Sequence, residues 1–355
     1  MAEKFGGNTE GVYKPEDEGT GKIYKPENPM KVVGKIDLSQ FEKKPKKLES
    51  RNNYEKKENY NEMLNLKLKE MSERVNNSFG HFLQSDGSID MESSSYRFSD
   101  KENDRQTIKT KEETFAAGKG QTREKWLEDR ENARGIVTEK ALTLVLDKIL
   151  GDDFIIARSS ALDDYSHGVD TLIVDKKTGA PICGMDEMGA IDNRGYSVKG
   201  SKIYDIINKY NGTFIKYGAT FRNGELQCKS IKNVPTFYLS LDENDLDKVL
   251  PAIANDEISE VEASIFQRLL HSLDSQIATY YKEHTNLKEN LFDVKKALLL
   301  EQDDLKDTFG DEGWGRTDEG REWKRRMGQN NLRLNILNFQ KSLQKMKETC
   351  EKIKK

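Results

Sequence analysis

The chain has 355 residues, 34% charged and only 35% hydrophobic, with a formal net charge of -4 at pH 7 and a mean hydropathy of -0.84. That balance excludes one large core running the whole length and predicts that part of the chain is disordered arm or extended helix. No apolar run approaches the ~18 residues of a membrane span, and three cysteines and four histidines are too few for a disulfide framework or structural zinc, so a cytoplasmic setting is expected.

Residues 1–120 balance 22 basic against 22 acidic residues and hold 33 hydrophobic ones, a poorer share than the rest. They are expected to form a largely disordered arm. Tyr13-Lys14-Pro15-Glu16 recurs eleven residues later as Tyr24-Lys25-Pro26-Glu27, either a duplicated docking motif or drift in a low-complexity tail. Leu64, Leu68, Met71 and Val75 form one apolar stripe and predict a single amphipathic helix over 55–77. Such a helix is marginal alone. Residues 99–119 read as a charged linker.

From 121 to 255 the pattern predicts a compact α/β domain. A helical run ends at Gly151, with Thr138 suited to its start. Short apolar runs at 154–157, 169–174 and 181–188 predict strands, the last two joined by the tight turn Asp175–Gly179. A helix is expected at 201–210, and strands near 213–221, 225–229 and 235–241. From 256 to 355 the chain reads as helix. Leu332, Ile336, Phe339, Leu343, Met346, Cys350 and Ile353 step 4-3-4-3-4-3, a heptad seam. The expectation is a long helical hairpin or coiled coil, closing on itself or pairing with a second copy or another protein.

The stretch that can carry chemistry is His167–Val174 followed, after the turn, by Ile182–Met188. Asp170 opens one strand and Asp186 lies near the far end of its partner, so the two carboxylates can meet at one end of the sheet. Glu139, on the preceding helix, can supply a third oxygen. Carboxylates grouped this way are hard ligands suited to magnesium or manganese. His167 can orient water or touch metal but reads first as an exposed loop histidine, and Asp163 and Asp164 are either pocket acids or, the favoured reading, turn residues.

Glu139, Asp170 and Asp186, in the order helix, strands, helix and further strands, resemble the PD-(D/E)xK phosphodiesterase superfamily, with its restriction-endonuclease-like mixed sheet. The resemblance covers about 135–242. It implies that Glu139, Asp170 and Asp186 hold a Mg2+ or Mn2+ ion, with Glu187 beside them, and that a lysine helps activate water against a phosphodiester. Val169 stands at the proline of the motif and Met188 at its lysine. Taking Glu187 as the motif acid puts Gly189 there instead. Some members of the superfamily take that lysine from a neighbouring element, so the resemblance implies Lys199 and Lys202, around the start of the following helix, as candidate catalytic lysines, with Lys216 third.

Between 194 and 232 eight basic residues face two acidic ones, a net of +6 suited to a phosphate backbone. Two functions follow as expectations: a metal-dependent nuclease acting on DNA or RNA, or a nuclease-fold scaffold without activity that assembles through its C-terminal helices.

Overall fold

The computed structural model describes residues 47–97, 100–189, 211–222, 225–283, 291–311 and 313–353, with Ser201 and Asp205. The Tyr-Lys-Pro-Glu repeat, Lys199, Lys202 and nearly all of the expected 201–210 helix lie outside the described residues. The chain divides into Met1–Leu48 and Glu49–Lys355. Elements from both sides of residues 120 and 255 share one core.

Helix α1 (Lys47–Phe79) shows why. Its stripe of Leu64, Leu68 and Met71 is fully buried with Ala141, Val145 and Ile149 of α4 (Arg134–Leu150). Each such side chain contributes about 1.5–3 kcal/mol of burial, which offsets the marginal stability of a lone helix. Lys140 of α4 is buried against the same helix, donating to Asn61 Oδ1 at 3.0 Å and Asn65 Oδ1 at 2.8 Å and pairing with Glu131. The stretch expected as a linker is helix α2 (Lys101–Gly118), followed by α3 (Arg123–Glu131). Two acids of α2 are buried because distant partners meet them. Asp104 accepts from Tyr217 Oη at 2.6 Å and Lys216 Nζ at 2.8 Å; Glu112 accepts from Arg123 Nε at 2.7 Å.

The strands are β1 (Phe154–Arg158), β2 (Thr171–Asp175), β3 (Pro181–Met188), β4 (Thr213–Arg222), β5 (Glu225–Val234) and β6 (Thr236–Ser240), with the short helix α5 (Ala161–His167) after β1. The four-stranded sheet runs β1-β2-β3-β6. Its first three strands form an antiparallel meander, and β6 joins β3 in parallel. Strands β4 and β5 form a separate hairpin. At the β2–β3 turn Gly179 has φ +67°, and an added Cβ would stand 2.0 Å from the Phe221 carbonyl oxygen, so only glycine fits.

Alternation along the strands divides the core. Phe154, Ile156, Ile173, Cys183, Met185 and Phe237 face α4 and the C-terminal helices; Ile155, Ala157, Leu172 and Val174 face Ile215, Tyr217 and Ala219 of β4. Helices α6 (Glu243–Ile253), α7 (Glu260–Glu283), α8 (Leu291–Phe309) and α9 (Asp318–Ile353) follow. The heptad stripe of α9 does not present a free seam. Phe339, Leu343, Met346 and Cys350 pack into the sheet core with Leu269, Leu273 and Ile277 of α7, and the Phe339 ring stacks on Phe237 at 4.4 Å. A helix lying on a sheet and a second helix needs the same 3-4 spacing as a coiled coil, so the periodicity alone left the partner open. No described helix is long and apolar enough to cross a membrane.

Candidate active site

The carboxylates gather where the C-terminal end of β3 meets the start of β2 and the first turns of α4. Asp170 immediately precedes β2 and is bound from three sides. Its N–H donates to Met185 O at 2.8 Å, its carbonyl accepts from Ser159 N at 2.7 Å, and its Oδ2 accepts from the Glu187 N–H at 2.5 Å. Continuing the register Thr171↔Met185 by one residue sets Asp170 opposite Asp186. Asp186 and Glu187 are both buried but, as neighbours on a strand, point to opposite faces. Glu187 shares the face of Met185, toward α4 and Glu139. Of the two, Glu187 rather than Asp186 therefore shares a face with the helix carboxylate.

The charges of Glu139, Asp164, Asp186 and Glu187 all act on Asp170. Burial, reinforced by those four, holds the Asp170 carboxyl well above the usual carboxylate range. Burial also pushes Glu187 well up, with Glu139 adding to it. Neither Glu187 oxygen meets a hydrogen-bond partner in good geometry, although the side chain is only 6% exposed. The Thr171 hydroxyl favours its ionised form, but burial outweighs that. Burial raises Glu139 and Asp164 as well, opposed by Arg158 and Arg130 respectively. Five acids thus stand with two arginines. Glu139, Asp164 and Asp170 reach solvent in part, while Asp186 and Glu187 lie beneath them.

The two arginines differ. Arg130 of α3 donates to Asp164 Oδ2 at 2.9 Å and lies 5.0 Å from the Tyr165 ring centre and 5.6 Å from that of Trp126. Arg158, the last residue of β1, reaches Glu139 Oε2 at 3.3 Å and Asp86 Oδ2 at 3.3 Å. Both escape a reading of the sequence, whereas Asp164 stands with the pocket acids rather than as the turn residue favoured from the sequence. The available signal was their position at an element end next to the motif strands.

Asp163, read with Asp164 as a turn residue, is a buried staple. Its Oδ1 accepts from Lys216 N at 2.7 Å and lies 2.8 Å from His167 Nδ1; its Oδ2 accepts from Ser160 Oγ at 2.8 Å and Tyr217 N at 3.0 Å. These bonds fix α5 on β4, and they turn His167 to Asp163. The ammonium of Lys216, the third candidate lysine, goes to Asp100 at 2.5 Å and Asp104 at 2.8 Å. Met188, at the lysine position of the motif, is buried at 6% exposure. Of the basic run, Lys229 and Lys232 of β5 are exposed.

For a metal the donor chemistry fits: hard oxygens, in excess over the cations near them among the described residues, with two buried Glu187 oxygens lacking a well-placed partner. Their positions are not those of a closed ligand set, since among the described residues no three such side chains converge at ligand distances. Comparison with protein-family models, with curated proteins and with solved structures finds no match.

Proposed function

We propose that this chain is a divalent-metal-dependent phosphodiesterase acting on nucleic acid, built on a restriction-endonuclease-like core. The observation that carries the reading is Glu187, a buried acid whose oxygens lack a well-placed hydrogen-bond partner, on the face of a helix carboxylate and flanked by Asp170. Carboxylates crowded without matching cations are costly to ionise unless a cation arrives. The strand order supports the same reading: a helix with an acid, an antiparallel three-strand meander and a fourth strand parallel to the third.

Glu139, Asp170, Asp186 and Glu187 are the acids that would hold the Mg2+ or Mn2+ ion. Such an ion supplies a Lewis acid for the phosphoryl oxygen and lowers the pKa of bound water. Asp170 fixes the end of β3 through the Glu187 N–H, and so sets where the Glu187 side chain leaves the strand. Lys199 and Lys202 remain candidates for the cation that Met188 cannot provide, and exposed Lys229 and Lys232 suit backbone contacts to the polymer.

The test is incubation of the whole chain with single- and double-stranded DNA and with RNA in Mg2+ or Mn2+. Backbone cleavage that is lost with a chelator and in Asp170→Asn is expected. A second reading, a nuclease-fold scaffold without activity, is favoured by the buried methionine at position 188. Metal binding without cleavage of any of these polymers would select it.

A further inference from the structure

The guanidinium of Arg158 is a cation with an incomplete set of partners at the edge of the acid cluster. Its backbone is fixed: Arg158 N donates to Gly87 O at 2.9 Å, and Arg158 O accepts from Ile89 N at 2.9 Å. Its side chain is only 13% exposed, so the charge is largely removed from water. Yet its described hydrogen bonds are long and one-pointed. Nη1 reaches Asp86 Oδ2 at 3.3 Å and Asp86 O at 3.4 Å, and Nη2 reaches Glu139 Oε2 at 3.3 Å. Two arginines that are more exposed make shorter contacts: Arg74 with Asp147 at 2.6 and 2.7 Å, and Arg105 with Glu92 at 2.6 and 2.8 Å. A partly buried guanidinium normally seeks such short, forked contacts with carboxylate or phosphate.

Arg158 also acts electrostatically on Glu139, Asp164 and Glu187, so its charge is felt by three of the acids. Arg130, a second cation of the described cluster, is engaged by Asp164 and two aromatic rings. The partners of Arg158 are of two kinds. Glu139 belongs to the cluster, while Asp86 stands on the loop after α1 with nearly half its side chain exposed. Asp86 Oδ1 accepts from Ser88 N at 3.0 Å and Ser88 Oγ at 2.6 Å, which leaves Oδ2 as the oxygen turned to Arg158.

We propose that Arg158 is the phosphate-binding residue of this site, held in place by Asp86 until a phosphodiester takes the position of the Asp86 carboxylate. The proposal rests on the phosphodiesterase reading for the identity of its ligand. In it, Arg158 supplies from β1 a positive charge for the substrate phosphate that Met188 cannot supply from β3. Asp86 competes with the substrate, and Glu139 changes partner when a metal ion arrives.

The experiment uses the whole chain and two probes. Mn2+ binding is read by calorimetry, and binding of a fluorescein-labelled phosphorothioate oligothymidylate by anisotropy, with and without Mn2+. Arg158→Met is expected to weaken oligonucleotide binding by about 10-fold or more, the worth of one charge-assisted hydrogen-bonded contact. Its Mn2+ affinity should stay the same or tighten, because Glu139 loses a competing cation. Arg158→Lys should fall between. Asp86→Asn is expected to tighten oligonucleotide binding, a gain that misfolding cannot produce. Oligonucleotide binding that is absent from wild type, unchanged in Arg158→Met, or weakened in Asp86→Asn overturns the proposal. Wild type that fails to bind Mn2+ but binds oligonucleotide through Arg158 would refute the metal reading and leave the phosphate clamp supported.

Discussion

Replacing Glu187 by methionine is predicted to stabilise the metal-free protein. The carboxyl is buried with both oxygens unpartnered, and a buried polar group in that condition costs about 1–3 kcal/mol. Methionine is similar in length, apolar and adaptable, and Met185 already lines the same face. For a chain of this size each kcal/mol moves the melting temperature by about 2 °C, so the gain should be about 2–6 °C. The gain also depends on pH. Glu187 and Asp170 have folded-state pKa values above the ordinary carboxylate range. Through that interval the folded protein binds more protons than the unfolded chain, so wild-type stability falls as pH rises from the ordinary range through the raised values. Glu187→Met should flatten that fall, and its advantage should be larger at pH 8 than at pH 5. Differential scanning calorimetry at the two pH values, with and without Mn2+, reads all of this. Wild type should gain stability from Mn2+, and the variant should not. A variant less stable than wild type at pH 8 without metal would refute the reasoning, since the carboxylate would then be supporting the fold.

Other expectations follow from the buried network. Asp163→Ala removes the acceptor of two backbone N–H groups and a hydroxyl and should cost about 3 kcal/mol or more, read by urea denaturation; a loss below about 1 kcal/mol would mean water replaces the staple. Leu68→Ala should cost about 2–5 kcal/mol, because α1 belongs to the core; a near-neutral result would return α1 to the arm. Phe339→Ala should cost about 3–5 kcal/mol without altering the sedimentation coefficient of the folded protein. A shift to a smaller species would show that the α9 stripe joins two copies instead.

The parts of the fold legible in the sequence are those fixed by local pattern. Strand β3 occupies Pro181–Met188, the expected run, and Thr178 N donates to Asp175 Oδ1 at 2.6 Å within the expected turn. Alternation located the acids at the ends of β2 and β3. Long-range partners were not legible. Helix α2 looked like a linker because Asp104 and Glu112 are satisfied by Tyr217 and Arg123, residues no local window connects to them. The stripe of α1 was visible, its docking site on α4 was not. In the candidate site Asp170 was singled out by its place at a strand end and Glu139 by its place on the preceding helix. Choosing between Asp186 and Glu187 needed the sheet's faces, and Arg158 needed the loop at Asp86.

The most direct test of the metal site is a calorimetric titration of Mn2+ into the whole chain at pH 7.5, repeated in buffers of different ionisation enthalpy and with Asp170→Asn. The whole chain is required because α1 and α9 fill the core beneath the sheet. Saturable binding with release of protons is predicted, since carboxyls with raised pKa must give up protons to ligate, together with loss of binding in Asp170→Asn. No binding by wild type, or equal binding by the variant, would contradict the assignment of this cluster as a metal site.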